Sequence, residues 1–100
     1  MPEPFVTPLA LAGMSHHTAD IATLEAFRFP DEEAFLHAAR ERFKGVLLLQ
    51  TCNRVEVLVE GDARGLEAFL REQGRKDFFI LGGVGVPRHL LELAAGIDSL

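Results

Sequence analysis

The residues best suited to chemistry lie at Thr51-Cys52-Asn53-Arg54, a polar tetrad between two apolar runs. Cys52 is the only cysteine, so no internal disulfide can form. A lone cysteine is commonly a small buried hydrophobe. This one stands at the end of an apolar run rather than inside it, where a side chain can project into a cleft. Arg54, two residues on, favours the thiolate, the form that attacks carbonyl carbon. The pattern points to a nucleophile. Arg54 itself suits a carboxylate ligand through two parallel hydrogen bonds; the plainer alternative is an exposed arginine paired with Glu56 or Glu60.

His89 is the candidate partner of Cys52, as a general base or a hydrogen-bond donor. It opens an apolar stretch after the glycines Gly82, Gly83 and Gly85, which leave room for a substrate. From spacing alone, a surface histidine in a first helical turn is the simpler reading. His16 and His17 are adjacent and would point in opposite directions on extended backbone. Together with Cys52 and His89 they match no zinc-ligand spacing, so no metal is expected. Gly82-Gly83-Val84-Gly85-Val86-Pro87 lacks the third glycine of a dinucleotide fingerprint and carries a proline inside it. No nicotinamide cofactor is expected on these residues.

The elements that must position this chemistry follow from the apolar pattern. Pro8 to Met14 reads as a buried first strand, and Asp20 caps a short helix through Phe27. Pro30 opens a second helix with Asp31, Glu32 and Glu33 in its first turn, a stripe of Phe35, Ala38, Ala39 and Phe43, and Gly45 as its stop. Val46 to Leu49 is a continuous apolar run, as in a strand covered on both faces. Val55, Val57 and Val59 alternate with Glu56, Leu58 and Glu60, as in a strand with one buried face. Asp62 caps a helix with Ala63, Leu66, Phe69 and Leu70 inward and Gly74 at its end. Phe78 to Leu81 is a fourth strand, and Pro87 starts a last helix with Leu90, Leu91 and Ala94 facing inward. This order predicts an α+β fold: a small, mainly antiparallel sheet with packed helices, arranged as a ferredoxin-like sandwich.

The 100 residues suit a single domain. Tyr and Trp are absent, so eight Phe residues supply all the aromatic bulk and most are expected in the core. A net charge of −5 argues against general nucleic-acid binding, and the one modest basic group is Arg71, Arg75 and Lys76. No signal peptide or bilayer-length apolar run is present, which predicts a cytoplasmic protein without a membrane partner.

Three blocks of this sequence resemble the glutamyl-tRNA reductases. Gly13-Met14-Ser15-His16-His17-Thr18-Ala19 is similar to that family's Gly-x-Asn/Ser-His-x-Thr-Ala signature. Gln50-Thr51-Cys52-Asn53-Arg54-Val55-Glu56 is similar to its Ser-Thr-Cys-Asn-Arg-x-Glu block, with Gln50 in place of Ser. The segment from His89 to Leu100 is similar to its His-Leu-x-x-Val-Ala-x-Gly-Leu-Asp-Ser segment. The blocks come in order at compatible spacing and cover nearly the whole chain.

The resemblance implies that Cys52 attacks the ester of glutamyl-tRNA to form a glutamyl thioester, and that His89 is important for activity. It implies substrate contacts from Thr51, Asn53, Arg54 and Ser99. It also implies reduction of the thioester by NADPH to glutamate-1-semialdehyde, the entry to tetrapyrrole synthesis. The NADPH-binding and dimerisation domains are expected to lie outside these residues, leaving the chain a monomer or weak dimer. Glutamyl-tRNA and the next enzyme, glutamate-1-semialdehyde aminomutase, are the implied partners of the whole, homodimeric protein.

Two other readings fit the residues: a non-catalytic ligand-binding or interaction module, and a cysteine hydrolase that passes its acyl group to water. Thiol accessibility separates a packed cysteine from a site cysteine. Cys52 is expected to react with an alkylating reagent at neutral pH in the folded protein. Labelling seen only above the unfolding transition would place it in the core.

Overall fold

A computed structural model describes residues 8–83, 85–87, 89 and 90. The element order is β1 (Leu9–Ser15), α1 (Ile21–Phe27), α2 (Glu32–Arg40), β2 (Val46–Gln50), β3 (Arg54–Glu60), α3 (Ala63–Glu72) and β4 (Phe79–Gly82). The four strands form one sheet in the order β2-β3-β1-β4, and every adjacent pair is antiparallel. With α1 and α2 between the first two strands and α3 before the last, this is the split βαβ arrangement of ferredoxin-like folds. The sandwich expected from the sequence is the one observed.

Strand alternation sorts the side chains onto two faces. Ala10, Ala12, Met14, Val55, Val57 and Val59 are buried against the helices. There they meet Leu24 and Phe27 from α1, Phe35 and Ala39 from α2, and Leu66, Phe69 and Leu70 from α3. Phe rings bridge the helices: Phe29 lies 4.1 Å from Phe35 between centroids, and Phe69 lies 5.7 Å from Phe35 and 5.8 Å from Phe43. Among the described residues five phenylalanines are buried, in line with the expectation for the aromatic bulk.

The helices α1, α2 and α3 each start on an aspartate whose carboxylate accepts a backbone N–H three residues on: Thr23 for Asp20, Ala34 for Asp31 and Gly65 for Asp62. At Asp20 the hydrogen bonds from the Thr23 backbone and side chain hold the carboxyl below its ordinary range. A lowered folded-state pKa means that this cap stabilises above the ordinary aspartate range and is lost as pH falls through the lowered value. The third helix ends in a Schellman motif, with Gly74 at φ 78°, its N–H on Arg71 O and the Arg75 N–H on Leu70 O.

Two local expectations are corrected. The second helix has Asp31 as its cap and closes at Arg40, five residues before Gly45, with Glu41 still in the right-handed helical region. Phe43 therefore enters the core from the segment after the helix. The run Val46–Leu49 is not covered on both faces. It forms an edge strand, with Leu47 61% and Leu49 41% exposed on the face opposite the helices.

That open face carries two rows of residues across the strands. One reads Leu47, Leu58, Leu11 and Leu81, and the other Leu49, Glu56, Gly13 and Phe79. Residues 85–87, 89 and 90 are helical and bring His89 and Leu90 onto this face. Leu91 and Ala94 of the expected last helix lie outside the described residues.

The two faces predict different sensitivities. Leu66→Ala, at a fully buried site, is expected to destabilise the fold by about 2–5 kcal/mol. Leu47→Ser, on the exposed edge, should change stability by no more than about 0.5 kcal/mol. Chemical denaturation of the two variants checks the contrast.

Candidate active site

The tetrad Thr51-Cys52-Asn53-Arg54 is the turn of the β2–β3 hairpin. The Thr51 N–H donates to Arg54 O at 2.9 Å, and the Asn53 N–H reaches Thr51 Oγ1 at 3.3 Å. Cys52 sits in this turn with its side chain exposed, as do Thr51 and Asn53; only Arg54 is half-buried. The adjoining loop is the one after β1. There the Thr18 hydroxyl donates to Ser15 O and accepts from the Ser15 N–H, and the Ser15 Oγ accepts from the His17 N–H. The His16 N–H donates to Asn53 O at 2.9 Å, tying this loop to the cysteine turn. Two of the motif-bearing segments therefore meet at one end of the β1–β3 pair. His16 and His17 do not diverge as an extended pair would. Their exposed rings lie 3.8 Å apart because Ser15 to Thr18 is a turn.

The cysteine turn is held from the helical side by Gln50, Arg28 and Arg75, to which the sequence pattern assigns no such role. The Gln50 carboxamide brackets Phe29, accepting its N–H at 2.8 Å and donating to its carbonyl at 3.0 Å, with a further bond to Glu32 at 2.7 Å. Gln50 thus latches the hairpin to the segment joining α1 and α2. From that segment the Arg28 guanidinium donates to the Cys52 carbonyl at 2.9 Å while pairing with Glu25 at 2.7 Å. Arg75 in turn caps the end of α1, donating to the carbonyls of Phe27 and Arg28 and stacking 4.3 Å over the Phe29 ring. Its partial burial lowers its pKa from the ordinary arginine value. The only advance signal for this chain of contacts was composition: an arginine directly after the Gly74 helix stop, where the reversed chain can reach back across the fold.

On the open face, Glu56 is a buried carboxylate, 3% exposed. Its Oε2 accepts from Arg54 Nη1 at 2.9 Å and lies 3.0 Å from His89 Nε2. The plainer alternative for Arg54, a pair with Glu56, is therefore present, but its carboxylate is inside the protein rather than on the surface. Arg54 and His89 are brought into one network; the link between them is Glu56, a residue that alternation alone placed on a polar face. Gly13 makes this possible. It stands beside Glu56 in the β1–β3 register, and a Cβ there would run into Val55 O and lie 2.8 Å from Glu56 Cγ. Ser99 lies outside the described residues.

Next to the network is a small apolar cleft lined by Leu11, Leu47, Leu49, Glu56, Leu58 and Leu90. A larger groove lies between α1 and Gly74–Asp77, and it shares no lining residue with the Cys52, Arg54, Glu56 and His89 set.

Fold and site together define a small α+β domain that offers an exposed thiol on a braced hairpin turn, beside an Arg–Glu–His network centred on a buried carboxylate. The profile of the "Glutamyl-tRNAGlu reductase, N-terminal domain" family matches residues 12–100. The glutamyl-tRNA reductase of Methanoculleus marisnigri is 78% identical over 100 residues, covering 100% of this chain and 24% of that protein. That of Thermus thermophilus is 38% identical over 95 residues, covering 93% of this chain and 24% of that protein. The solved structure of glutamyl-tRNA reductase from Methanopyrus kandleri matches with a TM-score of 0.74 at 32% identity, over 92% of this chain and 23% of that one. The chain belongs to the glutamyl-tRNA reductase family and corresponds to its N-terminal domain. It spans about a quarter of the length of these relatives.

The glycine at position 13 gives the site its own test. Gly13→Ala is expected to push Glu56 out of place and to destabilise the fold by about 1–3 kcal/mol, a typical penalty for overpacking. Gly83→Ala is the comparison: its positive φ strains the backbone, but nothing lies within 4 Å of the added methyl. Urea unfolding, with the His89 ring resonances as a local probe, should show the His89 environment altered only in the Gly13 variant.

Proposed function

We propose that this chain carries out the first half-reaction of a glutamyl-tRNA reductase. The Cys52 sulfur attacks the carbonyl carbon of the aminoacyl ester of glutamyl-tRNA. The S–C bond forms, the bond from that carbon to the terminal ribose oxygen breaks, and the thiol proton ends on the departing hydroxyl. The products are a glutamyl thioester on Cys52 and free tRNA. A thiolate is a strong nucleophile, and a thioester accepts hydride more readily than the ester it replaces.

The observation that carries this reading is the exposure of Cys52 on a turn held at its carbonyl by Arg28 and at its flank by Gln50, in a chain of this family. Thr51, Asn53 and Arg54 surround it on the same turn and suit a glutamyl group. Arg54 would clamp a carboxylate, because Glu56 engages only one nitrogen of its fork among the described residues. His89 supplies the proton transfer, and Ser99 would add a further substrate contact.

The described residues do not fit a dinucleotide. The glycines around Gly83 follow an antiparallel strand, not the parallel strand and crossover helix of a nucleotide fold, and Pro87 interrupts the pattern. NADPH, the hydride donor expected of the family, is therefore assigned to other parts of the whole protein, and no reduction step is derived from these residues. Homodimerisation through such parts, hand-over of glutamate-1-semialdehyde to its aminomutase and a cytoplasmic setting belong to the same reading. Among the described residues no helix is long and apolar enough to cross a membrane.

Acid-quenched mass spectrometry after mixing with glutamyl-tRNA, without NADPH, tests the proposal. A glutamyl adduct is expected on the protein and none on Cys52→Ser. Neither adduct nor free glutamate, in a sample shown to bind the tRNA, would remove the half-reaction from this chain. Free glutamate without any Cys52 dependence would do the same.

A further inference from the structure

Among the described residues the Glu56 carboxylate is the one buried ionisable group, and the reaction above leaves it without a role. A carboxylate is an acceptor only, so at 3.0 Å from Glu56 Oε2 the His89 Nε2 must carry the hydrogen. In a neutral imidazole the other nitrogen, Nδ1, then holds the free lone pair. The contact is well protected. The Glu56 side chain is 4% and the His89 side chain 20% exposed, and the Phe79 ring lies 5.4 Å from the imidazole, so water competes weakly for either partner. Arg54 Nη1 binds the same oxygen and fixes it in place.

We propose that Glu56 is a positioning residue: it sets His89 in the Nε2–H tautomer, leaving Nδ1 as the proton acceptor for the cysteine chemistry. The proposal rests on the reading of Cys52 as the nucleophile. Nδ1 takes the proton from the Cys52 thiol, and the resulting imidazolium is balanced by the Glu56 carboxylate on its far side. The same proton then passes from Nδ1 to the departing ribose oxygen. Glu56 keeps its charge throughout, and no proton reaches it. The division of labour is that of the acid, histidine and nucleophile of serine hydrolases, in which the acid orients the imidazole and stabilises its charged form. The same carboxylate holds Arg54, so one buried group orders both the base and the proposed carboxylate clamp.

The tautomer is directly observable. In nitrogen-15 spectra of histidine-labelled protein, the His89 signals (identified by their loss in His89→Gln) are expected to show neutral His89 protonated at Nε2. In Glu56→Gln the charged acceptor is gone and a substantial share of the Nδ1–H form is expected. Thioester formation at saturating glutamyl-tRNA should then fall roughly a hundredfold, within the range for losing general acid–base assistance. An unchanged tautomer together with a wild-type rate in Glu56→Gln overturns the proposal. If that variant fails to fold, the wild-type spectrum decides alone, because an Nδ1–H tautomer there contradicts the assignment. Absence of the glutamyl adduct in the wild-type protein would instead count against the Cys52 reading, and leaves the tautomer to be judged from its own spectrum.

Discussion

Burial of the Glu56 carboxylate is the constraint around which the open face is arranged. An ionised carboxylate taken from water is strongly disfavoured unless charged or polar donors replace its hydration. Here the donors are the Arg54 guanidinium, two residues along the same strand, and the His89 imidazole, brought from a segment far away in sequence. Removing either partner would leave the carboxylate under-compensated, so the pairing couples the placement of His89 to the register of β3. The neighbouring row on this face is apolar, with Leu11, Leu58 and Leu81, and the low local polarity strengthens both contacts.

The opposite side of the hairpin is fixed by neutral and charge-assisted bonds to backbone rather than by buried charge. Gln50 makes a closed pair of bonds with the Phe29 peptide, Arg28 bonds the Cys52 carbonyl, and Arg75 bonds the carbonyls that end α1. Carbonyls at a helix end lack intrahelical partners, so an arginine that satisfies them also anchors whatever else it touches. The thiol can remain exposed while the peptide carrying it is held from behind. A nucleophile needs this combination: a fixed backbone and an open approach.

Much of this was legible in the sequence, for identifiable reasons. The Asp20 and Asp62 caps, the Gly74 stop and the alternation of Val55, Val57 and Val59 are local signals, and all correspond to observed features. Cys52 was placed in a connection because its neighbours are too polar for core, and the hairpin turn is that connection. Apart from the ends of α2, the failures are non-local. Leu47 and Leu49 look buried from their run of neighbours, yet strand order puts them at the sheet edge, and periodicity carries no information about strand order. The partners of Arg28, Gln50 and Glu56 lie 24, 21 and 33 residues away, beyond any pattern of spacing. Glu56 runs furthest against the pattern, because a charged residue on an alternating strand normally faces water. Gly13 was the available hint, since a glycine inside a strand often marks a close approach by a neighbour.

The same residues that stabilise the fold also protect the geometry of the site. A one-residue slip of β3 against β1 would turn Val55, Val57 and Val59 to the open face and drive Glu56 and Leu58 toward the helices. Three fully buried valines and a buried charge would all lose their environments at once. The slip would also move Glu56 away from Gly13, the one position in its row that lacks a Cβ. Because Cys52 and Arg54 lie on the turn and first residue of this strand, its register sets where both stand relative to His89. Core packing on one face thus specifies the arrangement of charged groups on the other, and the Gln50 and Arg28 contacts hold the cysteine turn within that frame.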